Sequence, residues 1–325
     1  MNQIIEFLNN TKIGEPISFK NMSVFPVFTE NGIELDYITL DQALQNNLID
    51  ITEKDIGGSV PELKVTSKSD HNILLMDGEE LVGAKQNRIL NTSIIITPYS
   101  ETIIPVSCVE QSRWSYRSEK FASGMHSHSV LRSKKAFHVS RSLEREGSYR
   151  SDQSDIWKEV TRKSRSLHAD SPTEALYDVY QQKQSDLVQY ISAFKYVEGC
   201  NGVIIAINGK IFCADIFDKS NTMEKIWKKL INSYALDAIE DIKKDGKVSL
   251  KQAKSFLDEV KKGEFKGYKS VGLGEDVRIS AKNIIGSALV AEDKVVHIGL
   301  FRTDEPNKPI SANMIRAFDM RRSMA

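Results

Sequence analysis

Apolar residues fall in short β-branched runs over the first hundred positions, then at helical spacing over much of the remaining chain. Residues 19–29 mix β-branched and aromatic side chains around Pro26, and residues 73–76 form an apolar run that ends at Asp77-Gly78, a turn signal. Residues 94–97 and 103–107 are β-branched runs flanking Pro98-Tyr99-Ser100-Glu101, which predicts a hairpin or two adjacent strands. Between early strands, residues 40–48 predict a short helix. Farther on, residues 152–167 carry Ile156, Val160 and Leu167 near helical spacing. Ser171-Pro172-Thr173-Glu174 reads as a capping box with proline at the first helical position, opening a helix with Leu176, Tyr180, Leu187, Ile191 and Phe194 on one face.

The last third alternates hairpins and helices. Asn208-Gly209 between residues 203–207 and 210–216 predicts a type I′ hairpin. Asn221 with Glu224, and Ser249 with Gln252, each predict a helix start. Residues 284–291 and 294–301 predict a strand pair around Glu292-Asp293. Hairpins separated by helices argue for an α+β fold rather than a doubly wound parallel sheet. The reading is one domain over 1–325, with a strand-rich part at about 15–112 and a helix-and-hairpin part at about 151–325.

Residues 113–150 break the pattern. Nine Lys or Arg stand against three Glu, serines are frequent, and apolar periodicity is poor. The segment predicts an exposed basic loop, or functionally a basic arm closing over a phosphate-bearing ligand.

Composition narrows the function classes. Lys plus Arg number 44 and Asp plus Glu number 44, so there is no global pull toward nucleic acid or membrane. The three cysteines, Cys108, Cys200 and Cys213, form no CxxC pair and suit a reducing compartment. The chain opens with no basic stretch leading into an apolar run, and no run of about 18 apolar residues occurs, so the expectation is a cytoplasmic protein without a membrane span.

Two clusters can carry chemistry. Gly78 to Arg88 places Glu80, Lys85, Gln86, Asn87 and Arg88 beside a predicted strand: a carboxylate for acid–base work, amides for recognition and an arginine for bidentate phosphate contact. Read as structure alone, the same stretch is a solvated polar turn. The second cluster holds Cys108, Glu110, Arg113 and Trp114. A thiol near Arg113 and Arg117 can be a nucleophile of lowered pKa, or a small buried filler. His126-Ser127-His128 lacks metal-ligand partners at set spacing, so no metal is assigned. Gly272-Leu273-Gly274 lacks a dinucleotide fingerprint's helix-opening context, and no GxxxxGK[ST] loop occurs.

The blocks GEELVGAKQNRILNTSIII, IPVSCVEQSRWSY, RSDQSDIWKEV and GVIIAINGKIFCADIFD with KLINSYALDAI occur in order from about Gly78 onward. Together they resemble the ARG and rhodanese-phosphatase-superfamily-associated protein domain family. Ser112 stands where that pattern usually has glycine. The resemblance implies a role near NAD or ADP-ribose derivatives, since the family is named for its association with ADP-ribosylglycohydrolases and rhodanese-like phosphatases. It implies no specific reaction or cofactor, and it marks the polar blocks as working positions.

The expected function is therefore binding or processing of an ADP-ribose-, NAD- or nucleotide-like ligand. Arg88 and Arg113 would engage phosphate, Lys85, Gln86 and Asn87 polar groups, and Trp114 a ring; Glu80 or Glu110 would act as acid–base residue and Cys108 as nucleophile. The expected partner is a phosphate-bearing small molecule. Two other classes stand beside it: a nucleic-acid module using the basic, aromatic-interleaved residues 113–150, and a non-catalytic scaffold.

Overall fold

The computed structural model of the protein describes residues 2–29, 35–55, 57–242 and 246–303. The predicted boundary at 325 lies outside these residues. The fold is α+β, with eight helices and three sheets among the described residues.

The first sheet has six antiparallel strands in the order Phe121–His126, Glu79–Gly83, Arg88–Leu90, Glu101–Cys108, Glu62–Ser67, Ile49–Glu53. A bridge between Thr52 and Lys120 joins its two outer strands, so the sheet closes on itself. Period-two alternation fills the interior with Ile51, Leu63, Val65, Leu81, Leu90 and Val106, all buried in one core. A three-stranded sheet, Ile94–Ile96, Asn72–Leu75 and Tyr37–Thr39, packs on the same core. Thr39 begins the helix Leu40–Gln45 with a capping box completed by Gln42.

The third sheet has nine strands. Thr11–Ile13, Met22–Thr29, Gly202–Ile207, Lys210–Phe217, Lys294–Arg302, Ile284–Ala291, Glu275–Ala281 and Glu264–Lys269 lie side by side in that order, and Ile17–Phe19 pairs with Met22–Thr29. Both faces are covered. Val203 and Ile205 pack against a layer that includes Leu230 and Tyr234 of the helix Ser220–Ala238. Ile204 and Ala206 face the other way, toward Ile4 and Phe7 of the helix Asn2–Asn9 and Phe256 and Leu257 of the helix Leu250–Lys261. None of the described helices is long and apolar enough to cross a membrane.

Several expectations hold. Asn208 and Gly209 both take positive φ in a tight hairpin, and so do Glu292 and Asp293. Ser249 and Gln252 form a capping box. Others fail for identifiable reasons. The runs 94–97 and 103–107 do not pair: Ile94–Ile96 bonds to Asn72–Leu75, and Glu101–Cys108 lies in the barrel. Ser171 does not start a helix at Pro172. Its hydroxyl accepts the Ala175 N–H at 2.8 Å and donates to Asp178 at 2.6 Å, Glu174 adopts φ +53°, and the helix Leu176–Gln182 comes next. Asn221 caps nothing, because the helix Ser220–Ala238 begins one residue earlier and its N-cap, Lys219, makes no side-chain cap bond.

The largest correction concerns residues 113–150, which are not a loop. They contain the barrel strand Phe121–His126 and the helix Ser129–Glu146. The helix reads as polar because two of its cations, Arg132 and Lys135, are wholly buried. Arg132 donates two hydrogen bonds to Asp215, at 2.8 and 2.6 Å, and one to Asp77 at 3.2 Å. Lys135 pairs with Asp77 and donates to the Leu90 carbonyl at 2.6 Å. Asp215 also accepts from Tyr234 at 2.5 Å and lies 3.0 Å from His297, whose other ring nitrogen is 2.9 Å from the Ser93 hydroxyl. Burial opposes ionisation of Asp215, but Arg132 outweighs it and holds the carboxyl far below its usual range. This seam of charge ties the barrel's Asp77 turn to the nine-stranded sheet. It removes Arg132 and Lys135 from the surface, and Phe121 is buried too, whereas Arg117, Lys120, Arg141, Arg145 and Arg150 stay exposed.

Candidate functional site

One end of the barrel gathers the predicted residues. Leu81 and Arg88 are cross-strand partners, as are Arg88 and Cys108, so these three side chains share the inward face. Glu53 continues the inward series Ile49, Ile51 and reaches the same mouth. Over the mouth lie Lys85, from the turn between Glu79–Gly83 and Arg88–Leu90, and Trp114 and Tyr116, from the segment after Cys108. The Lys85 ammonium sits 5.3 Å from the Trp114 ring centre and 5.0 Å from that of Tyr116, and donates to the Gly57 carbonyl at 2.6 Å. The Arg88 guanidinium lies 5.6 Å from the Trp114 ring. Gly58, at φ +76°, closes the wall: a Cβ there would meet Lys85 at 3.1 Å, Trp114 at 3.3 Å and Glu53 Oε2 at 3.4 Å.

The frame is rigid. Arg113 clamps Glu110 with two hydrogen bonds, at 2.8 and 2.6 Å, and donates to the Ala84 and Ser115 carbonyls at 2.6 and 2.9 Å. Asn87 gives its N–H to Glu110 at 3.0 Å, and its side-chain oxygen accepts from Gly83 at 3.2 Å and Arg113 at 3.1 Å. Gln86 donates to the Gln111 carbonyl at 3.3 Å and accepts from Arg88 at 3.1 Å. The segments 80–88 and 108–114 thus converge.

Their members do not all face the mouth. Glu110 and Arg113 are paired with each other, which corrects the reading of one as an acid–base group and the other as a phosphate ligand. Burial works to raise Glu110, but the Arg113 hydrogen bonds override it and keep the carboxyl ionised. Glu80 pairs with Ile89 and so stands on the outer face of the barrel, away from Arg88. There it accepts the Met125 N–H at 3.3 Å, Oε1 has no partner among the described residues, and burial pushes its carboxyl up to about 8. Cys108 is fully buried, and burial pushes its thiol up to about 11 against the pull of Arg88. Burial and a raised pKa fit a small buried filler better than the expected nucleophile.

Two groups at the mouth lack partners among the described residues. Arg88 is 0% exposed, yet only Nη1 is bonded, to the Gln86 carbonyl at 3.0 Å and to the Gln86 side chain; Nε and Nη2 bond to nothing. Burial lowers its pKa. Glu53, 7% exposed, accepts the Lys85 N–H on Oε1 at 3.2 Å and leaves Oε2 unpartnered. Glu53 was missed in the sequence; its signal is the alternation Ile49, Ile51, Glu53, which places it inward. An open cleft of about 690 Å³, lined by Glu53, Lys54, Lys64, Tyr116, Arg117 and their neighbours, adjoins this mouth. That size suits a small ligand.

No curated protein and no solved structure matches the chain. A family model does, over residues 10–301, which takes in the barrel, the seam and nearly all of the nine-stranded sheet. The barrel mouth is therefore part of a domain of known lineage: the chain belongs to the ARG and Rhodanese-Phosphatase-superfamily-associated Protein domain family.

Proposed function

We propose that the barrel mouth binds a phosphate-bearing, nucleotide-like ligand of the ADP-ribose or NAD kind. One observation carries this reading. Arg88 is a buried cation with two free N–H donors on one edge of its guanidinium, the arrangement that receives two phosphate oxygens in parallel. Each buried donor left unbonded costs about 1–3 kcal/mol, a cost that an anion between Nε and Nη2 would relieve. Trp114 and Tyr116, both about half exposed, supply ring faces beside it. Three free, buried cysteines fit a reducing compartment, and we place the protein in the cytoplasm.

A thermal-shift screen with ADP-ribose, NAD, nucleoside phosphates and inorganic phosphate tests the reading. At least one phosphate-bearing compound raises the melting temperature, and the rise disappears in Arg88→Lys. A lysine ammonium cannot make the paired contact, so affinity falls by roughly 1.5–3 kcal/mol while the unliganded protein melts nearly unchanged. A phosphate ligand that binds wild type and Arg88→Lys equally would remove Arg88 from the site.

A further inference from the structure

The mouth holds a second unsatisfied group, and its sign is opposite. Glu53 Oε2 is an acceptor with no donor, on a residue only 7% exposed. Arg88 Nε and Nη2 are donors with no acceptor. The two side chains stand close enough for the carboxylate to favour the charged guanidinium, yet no hydrogen bond or ion pair joins them. Both project inward at the same end of the barrel, and the Lys85 stem and Trp114 ring lie over them. Opposite charges buried together relax into a direct pair unless the frame holds them apart. Here the frame does so: Lys85 N–H fixes one Glu53 oxygen and Gln86 fixes one edge of Arg88.

The group that satisfies both must accept two hydrogen bonds on one side and donate one on the other. A phosphate ester without hydroxyls, fully ionised above its second pKa of about 6, does only the first; inorganic phosphate can lend its remaining P–OH, but only by spending an oxygen that would otherwise face Arg88. A phosphate carried on a polyol does both. Resting on the phosphate reading of this mouth, we propose that it selects sugar phosphates: the phosphate oxygens accept from Arg88 Nε and Nη2, and a sugar hydroxyl donates to Glu53 Oε2. Glu53 then sets specificity, turning away hydroxyl-free phosphates by charge and holding hydroxylated ones by a charge-assisted hydrogen bond.

Calorimetric titration of the full chain tests this with ribose 5-phosphate, glucose 6-phosphate and AMP against phenyl phosphate and inorganic phosphate. At least one sugar phosphate binds wild type tenfold or more tighter than phenyl phosphate. In Glu53→Gln the signs diverge: that sugar phosphate weakens at least threefold, while phenyl phosphate binds as well or better because a like charge is gone. A residue that merely shapes the mouth would move both ligands the same way. If phenyl phosphate binds through Arg88 as tightly as every sugar phosphate, the selectivity proposal falls and the phosphate reading stands. If no phosphate compound binds, both fall. Should Glu53→Gln fail to fold, the comparison of ligands on wild type decides alone, and the absence of a tenfold preference overturns the proposal.

Discussion

Arg132 and Arg88 are equally buried, and they are treated differently. In the seam, Arg132 uses Nη1 and Nη2 on Asp215 and Nε on Asp77, and the carboxylates are themselves met by Lys135, Tyr234 and His297. At the barrel mouth, Arg88 has only the neutral groups of Gln86, on one nitrogen, and faces a carboxylate it does not touch. The first arrangement matches each donor to an acceptor; the second leaves both unmatched. Where every buried charge is answered from within, the chain needs nothing else, and the charges hold elements together. Where matched geometry stops short, the missing partner has to come from outside. Burial and charge alone do not mark a site; unpaired hydrogen-bonding capacity beside a cleft does.

The contrast breaks most visibly in the seam. Asp215→Asn leaves Arg132 buried against a neutral amide, and removing one member of such a network costs about 3–5 kcal/mol. Urea denaturation at pH 7 measures it; a loss below about 1 kcal/mol would mean the seam is not holding the barrel to the sheet.

Glu80 sharpens the comparison, since it is buried on the outer face of the barrel, away from the mouth, yet has an oxygen without a partner among the described residues. Burial pushes its carboxyl up to about 8 and that of Glu79 up to about 7. Both lie above the roughly 4.3 of an unfolded glutamate. Between those values the native chain holds protons that the unfolded chain has released, so stability falls as pH rises from about 4.3 and levels off above about 8. Glu80→Gln removes one such group. It raises stability at pH 8 by roughly 2–4 kcal/mol and changes it little at pH 4. Paired urea titrations at the two pH values check this, and an equal effect at both would contradict it.

At the mouth the sign reverses relative to the seam. Arg88→Met in a Glu53→Gln background removes both the orphaned donors and the buried carboxylate they face and keeps the stem's bulk, so the unliganded protein gains roughly 1–3 kcal/mol while phosphate binding is lost. Melting curves with and without ligand measure both, and a destabilised double variant would make Arg88 a structural residue like Arg132. Cys108→Ser has the smallest effect, a loss on the order of 1 kcal/mol with ligand binding intact. Its thiol, buried and raised to about 11, resists alkylation in the folded state across neutral pH. Rapid labelling at pH 7 would restore a reactive role.

Legibility in the sequence obeys the same division. Local rules read correctly wherever the partner is near along the chain: Asn208-Gly209 and Glu292-Asp293 for their hairpins, Ser249 with Gln252 for its cap. Residues 80–88 and 108–114 meet through the pairing of Arg88–Leu90 with Glu101–Cys108, not through a hairpin of the runs 94–97 and 103–107, which do not pair. Arg132 and Lys135 misled because a buried ion pair and a solvated surface charge look identical in one dimension; Asp215, which decides between them, is 83 residues from Arg132. Glu80 and Arg88, read together as one cluster, are divided by strand alternation, since each faces the other side of the sheet. Glu53 escaped because its partner, the Lys85 N–H, is 32 residues away.

The seam has a bearing on how the chain is made. Arg132 leaves the ribosome 83 residues before Asp215, an interval of roughly 4–17 s at ordinary rates of synthesis. Throughout that time the helix Ser129–Glu146 carries a guanidinium whose principal counter-charge does not yet exist, with only Asp77 behind it. Burying that helix early would strand a cation out of water, so the barrel's flank stays wet until the strand Lys210–Phe217 arrives. The strand Met22–Thr29 waits likewise for its partner Gly202–Ile207. The barrel strands, all within residues 49–126, have each other as partners early, but the seam and the strand Met22–Thr29 can complete their packing only after Gly202–Ile207 and Asp215 have been made.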